Sequence, residues 1–138
     1  STLRILEGSV TKAHEQTVPN VVSAAAISTL ARQARTVHVD PSINDYVSRL
    51  VDATRSAIEV RLGVSVRGAL ALIRTAKTLA AANGRHYVVP DDVKVLAEPV
   101  LAHRLLLDPE AEFDGVTASS VIGQILIETA PPSDRQAV

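Results

Sequence analysis

"GVSVRGALALIRTAKTLAAANG", residues 63–84, is the stretch that decides the fold. Ala69, Leu72, Ile73, Ala76, Leu79 and Ala80 recur at helical spacing, while Arg67, Arg74 and Thr78 fall on the opposite face. The pattern predicts a helix from Ser65, a capping residue, to Asn83, with Gly84 supplying a left-handed C-terminal stop. Two residues at its start run against stability. Arg67 lies in the first turn, where the positive end of the helix dipole favours Asp or Glu, and Gly68 costs about 0.5–1 kcal/mol relative to alanine in a helix. Free first-turn amides, a guanidinium and a neighbouring glycine together suit the close approach of a phosphate. Ser65, Arg67 and Gly68 are therefore the candidate ligand-binding residues. The competing reading is an ordinary surface arginine, and nothing in the three residues selects one particular phosphate.

Outward from this helix the chain reads as further helices. Residues 1–19 hold a short helical stretch, "STLRILEG", and a polar connector ending at Pro19. Asn20 is placed to cap a helix of about 16 residues with Ala24, Ile27, Leu30, Ala31 and Ala34 on one face. Asp40 and Pro41 form an N-cap and first-turn pair for a second helix, whose inward positions are Ile43, Tyr46, Val47, Leu50, Val51 and Thr54. After residue 84, Pro90, Asp91 and Asp92 open a fourth along Val93, Leu96, Ala97 and Leu101, in which Pro99 is expected to cause a break or kink. "LDPEAEFDG" reads as an acidic loop, Thr117 as the cap of a last helix carrying Val121, Ile122, Ile125 and Leu126, and "APPSDRQAV" as a frayed tail. Val37–Val39 and Tyr87–Val89 alternate like very short strands that pair. The expectation is an all-α fold, a small bundle of about five helices with two very short strands.

Composition agrees with close helix packing. Hydrophobic residues make up 46% of the 138, aromatics only 2%, so the core must be built from Ala, Val, Leu and Ile. A net charge of −1 argues against a nucleic-acid or anionic-membrane partner. Without cysteine there is neither a disulfide framework nor a thiolate metal site, and a reducing cytoplasm is the default. No apolar run approaches a membrane span. The chain starts at Ser1, contains no methionine and shows no leader, and it reads as a piece of something larger that carries only part of an active site.

Other chemistry is poorly supported. His14, His38, His86 and His103 are far apart in sequence and lack metal-site spacing, so they read as surface histidines. Asp91 and Asp92 look like a catalytic carboxylate pair, but acids in a first turn after proline are explained by capping. Asp108, Glu110, Glu112 and Asp114 read as solvated surface, since no EF-hand pattern is present. No Walker A loop, GxSxG or GxGxxG occurs.

The block "VRLGVSVRGALALIRTAKTLAAANGRHYVVPDDVKVLAEPVLAHRLLL" resembles the C-terminal helical lid of MoxR-type AAA+ ATPases. In that family a Gly-Ala-Ser-Pro-Arg-Ala segment opens a helix and supplies the sensor 2 arginine; a glycine-ended helix, a "YV-P-DV" segment and a leucine-rich "HRL" segment follow. The resemblance is strong from Val37 to Leu107, extends to Ala130 and is weak before Val37. It divides the chain into a connector and first lid helix (1–36), the lid (37–130) and a disordered tail (131–138). It also assigns Arg67 the sensor 2 role on the γ-phosphate of ATP, with Ser65 and Gly68 beside it. Val64, Val66 and Gly68 depart from the usual Ala, Pro and Ala, and loss of proline at the first helical position gives up pre-organisation.

The same resemblance implies a large nucleotide-binding domain in the same protein, ATP and Mg²⁺ held there, and a cytoplasmic hexameric ring. It further implies a chaperone that matures partner proteins, often ones with von Willebrand factor A domains. A free-standing helical protein-interaction domain is the alternative. A helical DNA-binding domain is disfavoured by the absence of a basic stripe.

Overall fold

The computed structural model describes residues 23–133. Six α-helices are present among them: α1 (Ala24–Arg35), α2 (Pro41–Ser56), α3 (Val66–Ala82), α4 (Pro90–Leu101), α5 (Pro109–Phe113) and α6 (Ala118–Glu128). Strands β1 (Val60–Leu62) and β2 (Leu106–Leu107) pair antiparallel, Val60 opposite Leu107 and Leu62 opposite Leu106. The expected "STLRILEG" helix, the Asn20 cap, His14 and residues 134–138 lie outside the described residues. The cap of α1 is Ser23, whose hydroxyl accepts from the Ala26 amide.

Helix α2 forms for the reasons its sequence states. Asp40 Oδ2 accepts from the Ser42 amide at 3.0 Å and the Ser42 hydroxyl at 2.6 Å, bonds that hold its carboxyl below the usual carboxylate range, and Pro41 opens the first turn. All six positions expected to face inward are buried. Helix α3 ends as expected, with Gly84 at φ +73°. The Gly84 amide bonds the Ala81 carbonyl and the Arg85 amide the Ala80 carbonyl, the paired bonds of a Schellman stop. Thr117 and Ser120 exchange hydrogen bonds at the start of α6.

The core lies where α2, α3, α4 and α6 meet, with β1 and β2 along one side. Ile43, Tyr46, Leu50, Leu72, Leu101 and Ile122 are its largest fully buried side chains. Burial of each Leu or Ile is worth about 1.5–3 kcal/mol. Tyr46 is the one aromatic ring in this core; its hydroxyl has no hydrogen-bond partner, and burial pushes its pKa up.

Several expectations need correction. The stripe of α1 is largely uncovered: Ala34 is buried, Ile27 is 57% exposed and Ala24 and Ala31 are exposed, because α1 packs chiefly against α3. Leu79 is only half-buried. Pro99 does not break α4, which runs to Leu101 before one 3-10 turn, Ala102–Arg104. Proline leaves the Val95 carbonyl without its helical donor, but Val95 is exposed and water can serve it. The acidic loop contains α5, started by Asp108–Pro109 and stopped by Gly115 at φ +90°. The expected pairing of Val37–Val39 with Tyr87–Val89 is present, though as a single parallel bridge, His38 to Tyr87, rather than as strands.

Asp91 and Asp92 have different roles. Asp91 is exposed, whereas Asp92 is buried, accepts from the Val89 amide at 3.0 Å and takes both Arg85 terminal nitrogens at 2.6 and 2.7 Å. Asp92 thus caps α4 and ties it to the end of α3, and its hydrogen bond pushes the Arg85 pKa up. Asp92→Asn keeps the size and one acceptor but removes the charge opposite Arg85. It should cost about 1–3 kcal/mol, read as a lower urea midpoint at unchanged slope.

Candidate functional site

The start of α3 is placed by elements on both sides. Ser65 occupies the N-cap position with extended backbone (φ −82°, ψ 174°), and its carbonyl accepts the amides of Gly68 and Ala69 at 3.0 and 3.2 Å. Its hydroxyl makes no capping bond, a correction to the expected side-chain cap. Val66 and Arg67 are the first two helical residues, so their amides have no intrahelical acceptor. Both are exposed. Arg67 makes no hydrogen bond or ion pair with any described residue, and the first turn of α3 carries no acid. An exposed guanidinium, two unserved amides and a hydroxyl not used for capping therefore share one helix end, an arrangement suited to an anion.

Gly68 is buried, on the other side of the same turn. A Cβ there would collide with Val64 Cγ1 and lie 3.2 Å from Arg104 Cδ. The space left by the missing side chain is filled by protein, so packing suffices to explain the glycine. Arg104 was not anticipated as a site residue. Its stem crosses the first turn of α3 and its Nε donates to the Val100 carbonyl at 3.1 Å. The guanidinium begins one bond beyond that Cδ and is exposed, which adds positive charge to the end of α3. Pairing of β2 with β1 brings Arg104 here, since β2 directly follows its 3-10 turn.

A groove of about 200 Å³ between α1 and α3 also gathers cations, Arg35, Arg74 and Lys77, but away from any helix start, while the groove between α2 and α6 fits an anion less well. That second groove, of about 380 Å³, is lined by Ala53, Ala57, Glu59, Gln124 and Glu128 among others, with two carboxylates and no cation. His38, His86 and His103 are exposed, and no three His, Asp or Glu side chains gather to hold a metal among the described residues. No helix there is long and apolar enough to cross a membrane.

Comparison with known proteins agrees with this architecture. Residues 52–125 match the AAA lid domain model. The chain is 38% identical over 123 residues to the uncharacterized protein YeaC of Bacillus subtilis (strain 168), covering 89% of the chain and 38% of YeaC. It is 34% identical over 121 residues to Chaperone MoxR1 of Mycobacterium tuberculosis (strain ATCC 25618 / H37Rv), covering 81% and 32%. A magnesium-chelatase subunit ChlI homolog of Methanocaldococcus jannaschii is 46% identical over 55 residues, 39% of the chain and 15% of that protein. The fold superposes on the crystal structure of a candidate ATPase from Cytophaga hutchinsonii with a TM-score of 0.75 and 28% identity, over 96% of this chain and 43% of that one. The chain thus spans less than half the length of each of these relatives.

Proposed function

The chain belongs to the AAA lid domain family, of the MoxR type, and from that premise we propose that it is the sensor 2 lid of a chaperone-like AAA+ ATPase. The observation that carries the proposal is Arg67: an exposed, unpaired guanidinium on the first turn of a helix whose N-terminal amides are free. ATP would be held by the large domain, which also holds the Mg²⁺. The residues here fit the phosphate end of that nucleotide, because a planar guanidinium matches two phosphate oxygens and the Val66 and Arg67 amides present the same polarity. Bound ATP would supply a γ-phosphate within reach of Arg67, and ADP would not.

Arg67 would bind that phosphate and thereby make the angle between lid and large domain depend on it, a hinge closure around a ligand. The buried core of α2, α3, α4 and α6 would carry the rotation as one body. Ser65 and Gly68 would shape the turn from which Arg67 reaches. On this reading the complete protein works as a cytoplasmic hexameric ring that matures client proteins, among them ones with von Willebrand factor A domains.

Nucleotide binding by the chain alone tests this reading. A charge-assisted contact contributes about 1.5–3 kcal/mol, and the few exposed groups of one helix end add little beyond the roughly 4 kcal/mol of millimolar affinity. Titration calorimetry with Mg-ATP should therefore detect no binding tighter than about 1 mM. A micromolar dissociation constant would mean that the chain holds a complete site of its own.

A second reading, the stand-alone interaction domain, is favoured by the exposed side chains of Leu62, Val66, Leu70 and Leu106. Leu62 and Leu106 are cross-strand partners, and Val66 and Leu70 are one helical turn apart. The Arg67 substitutions argued in the Discussion separate the two readings.

A further inference from the structure

Three residues, Gly63, Val64 and Ser65, connect β1 to the turn that presents Arg67. Val64 is fully buried, and both polar groups of its backbone are bound by the last turns of α2. The Val64 amide donates to Thr54 Oγ1 at 2.9 Å, and the Val64 carbonyl accepts from Arg55 Nε at 2.9 Å. Thr54 is itself fully buried, and its hydroxyl donates onward to the Val51 carbonyl at 2.6 Å. At Gly63 a Cβ would lie 2.7–2.9 Å from Arg55 Cγ, Cα and N, too close for any other residue without movement of the α2 backbone. The Val64 side chain packs under Gly68, one residue after Arg67. The segment is thus held to α2 by two hydrogen bonds and a glycine contact, and to α3 by a buried side chain.

Resting on the sensor 2 reading above, we propose that Thr54 and Arg55 are positioning residues for Arg67: they lock the Val64 peptide to α2 and so fix where the guanidinium meets its phosphate. Arg67 has no partner of its own among the described residues, so nothing in its side-chain contacts sets its place. Its aim depends on the backbone that carries it. Proximity effects are steep, and a displacement of about 1 Å can cost on the order of 100-fold in rate. The other polar contact of Arg55, Nη1 to Asp52 Oδ1 at 3.4 Å, is exposed and contributes little. The Nε bond to Val64 is the one with a consequence for α3.

The test is steady-state ATP hydrolysis by the complete ATPase carrying Arg55→Met, Thr54→Val or Thr54→Ser, each alone and combined with Arg67→Ala. Arg55→Met keeps the stem against Gly63 and removes the donor; Arg55 is exposed, so this variant should fold even if Thr54→Val does not. Arg55→Met should lower kcat by about 5- to 50-fold, with the KM for Mg-ATP within about twofold and the melting temperature nearly unchanged. Thr54→Val should do the same where it folds, while Thr54→Ser, which keeps the hydroxyl, should restore kcat.

In the Arg67→Ala background neither change should lower kcat by more than about twofold, because residues that act through one group are not additive. A full additional loss in that background, or an unaltered kcat for Arg55→Met alone, overturns the positioning role while leaving the sensor reading intact. Should Arg67→Ala by itself leave kcat unchanged, the sensor reading fails and the positioning role fails with it.

Discussion

Leu50→Ala is expected to destabilise the chain by about 2–5 kcal/mol, whereas Arg74→Ala on the outer face of α3 should change stability by less than about 0.5 kcal/mol. Leu50 is 1% exposed and belongs to the same buried cluster as Ile43, Val47, Leu72, Val93 and Leu101. Truncation removes about three carbons from water exclusion and leaves a cavity. Helices α3, α4 and α6 all bear on that cluster, so the walls cannot close without disturbing one another. Arg74 is exposed and makes no side-chain bond with a described residue. Urea unfolding of the three proteins decides the matter. Equal midpoints for Leu50→Ala and Arg74→Ala would show that the inner and outer helix faces are misassigned.

The contrast between α1 and α2 shows what periodicity can and cannot tell. In α2 the six inward positions, five apolar and Thr54, were all legible and are all buried, because the stripe is wide and met by partners on several sides. The stripe of α1 was equally legible, yet Ile27 remains 57% exposed. A hydrophobic face states that burial is favourable; it does not supply the partner. The two paired strands, three and two residues long, are too short for a period-2 signal, and more than 40 residues separate them. Helix α5 is a different kind of miss. Asp108–Pro109 repeats the Asp40–Pro41 start signal, but Asp108 uses its carboxylate on Arg61 at 3.3 Å rather than as a cap.

At the candidate site the same division holds. The position of Arg67 within its turn followed from the residues around it, because helix starts are local. The reason for Gly68 was not legible: its neighbours are Val64, four residues back, and Arg104, 36 residues on, and only the antiparallel pairing of β1 with β2 brings the latter close. Asp92 carried a local capping signal that was correct, yet its second role required Arg85, on the far side of the bridge at Tyr87. Local chemistry was for the most part readable where both partners lay within about a turn of each other, the Ser65 cap and the Val64–Gly68 contact being exceptions. Tertiary partners were not.

Arg67→Ala should separate activity from stability. In the chain itself Arg67 opposes the dipole of α3, is exposed and has no acid to pair with among the described residues, so its removal should leave the melting temperature unchanged or slightly raised. On the proposed sensor reading, the guanidinium would contact phosphate charge during turnover of the complete protein. Its loss should then slow hydrolysis by about 10- to 1,000-fold, on the order of 1.4–4 kcal/mol of transition-state stabilisation. Arg67→Lys should recover only part of that rate, because an ammonium keeps the charge but loses the planar fork that matches two phosphate oxygens. Thermal melting of the chain and steady-state ATPase of the complete protein, for wild type, Ala and Lys, measure both effects together. A fall of many degrees in melting temperature with turnover intact would mark Arg67 as a structural residue and favour the interaction domain. A loss of rate at unchanged melting temperature has no source in the chain's own stability, and a ligand that the arginine side chain meets during turnover is what remains to explain it.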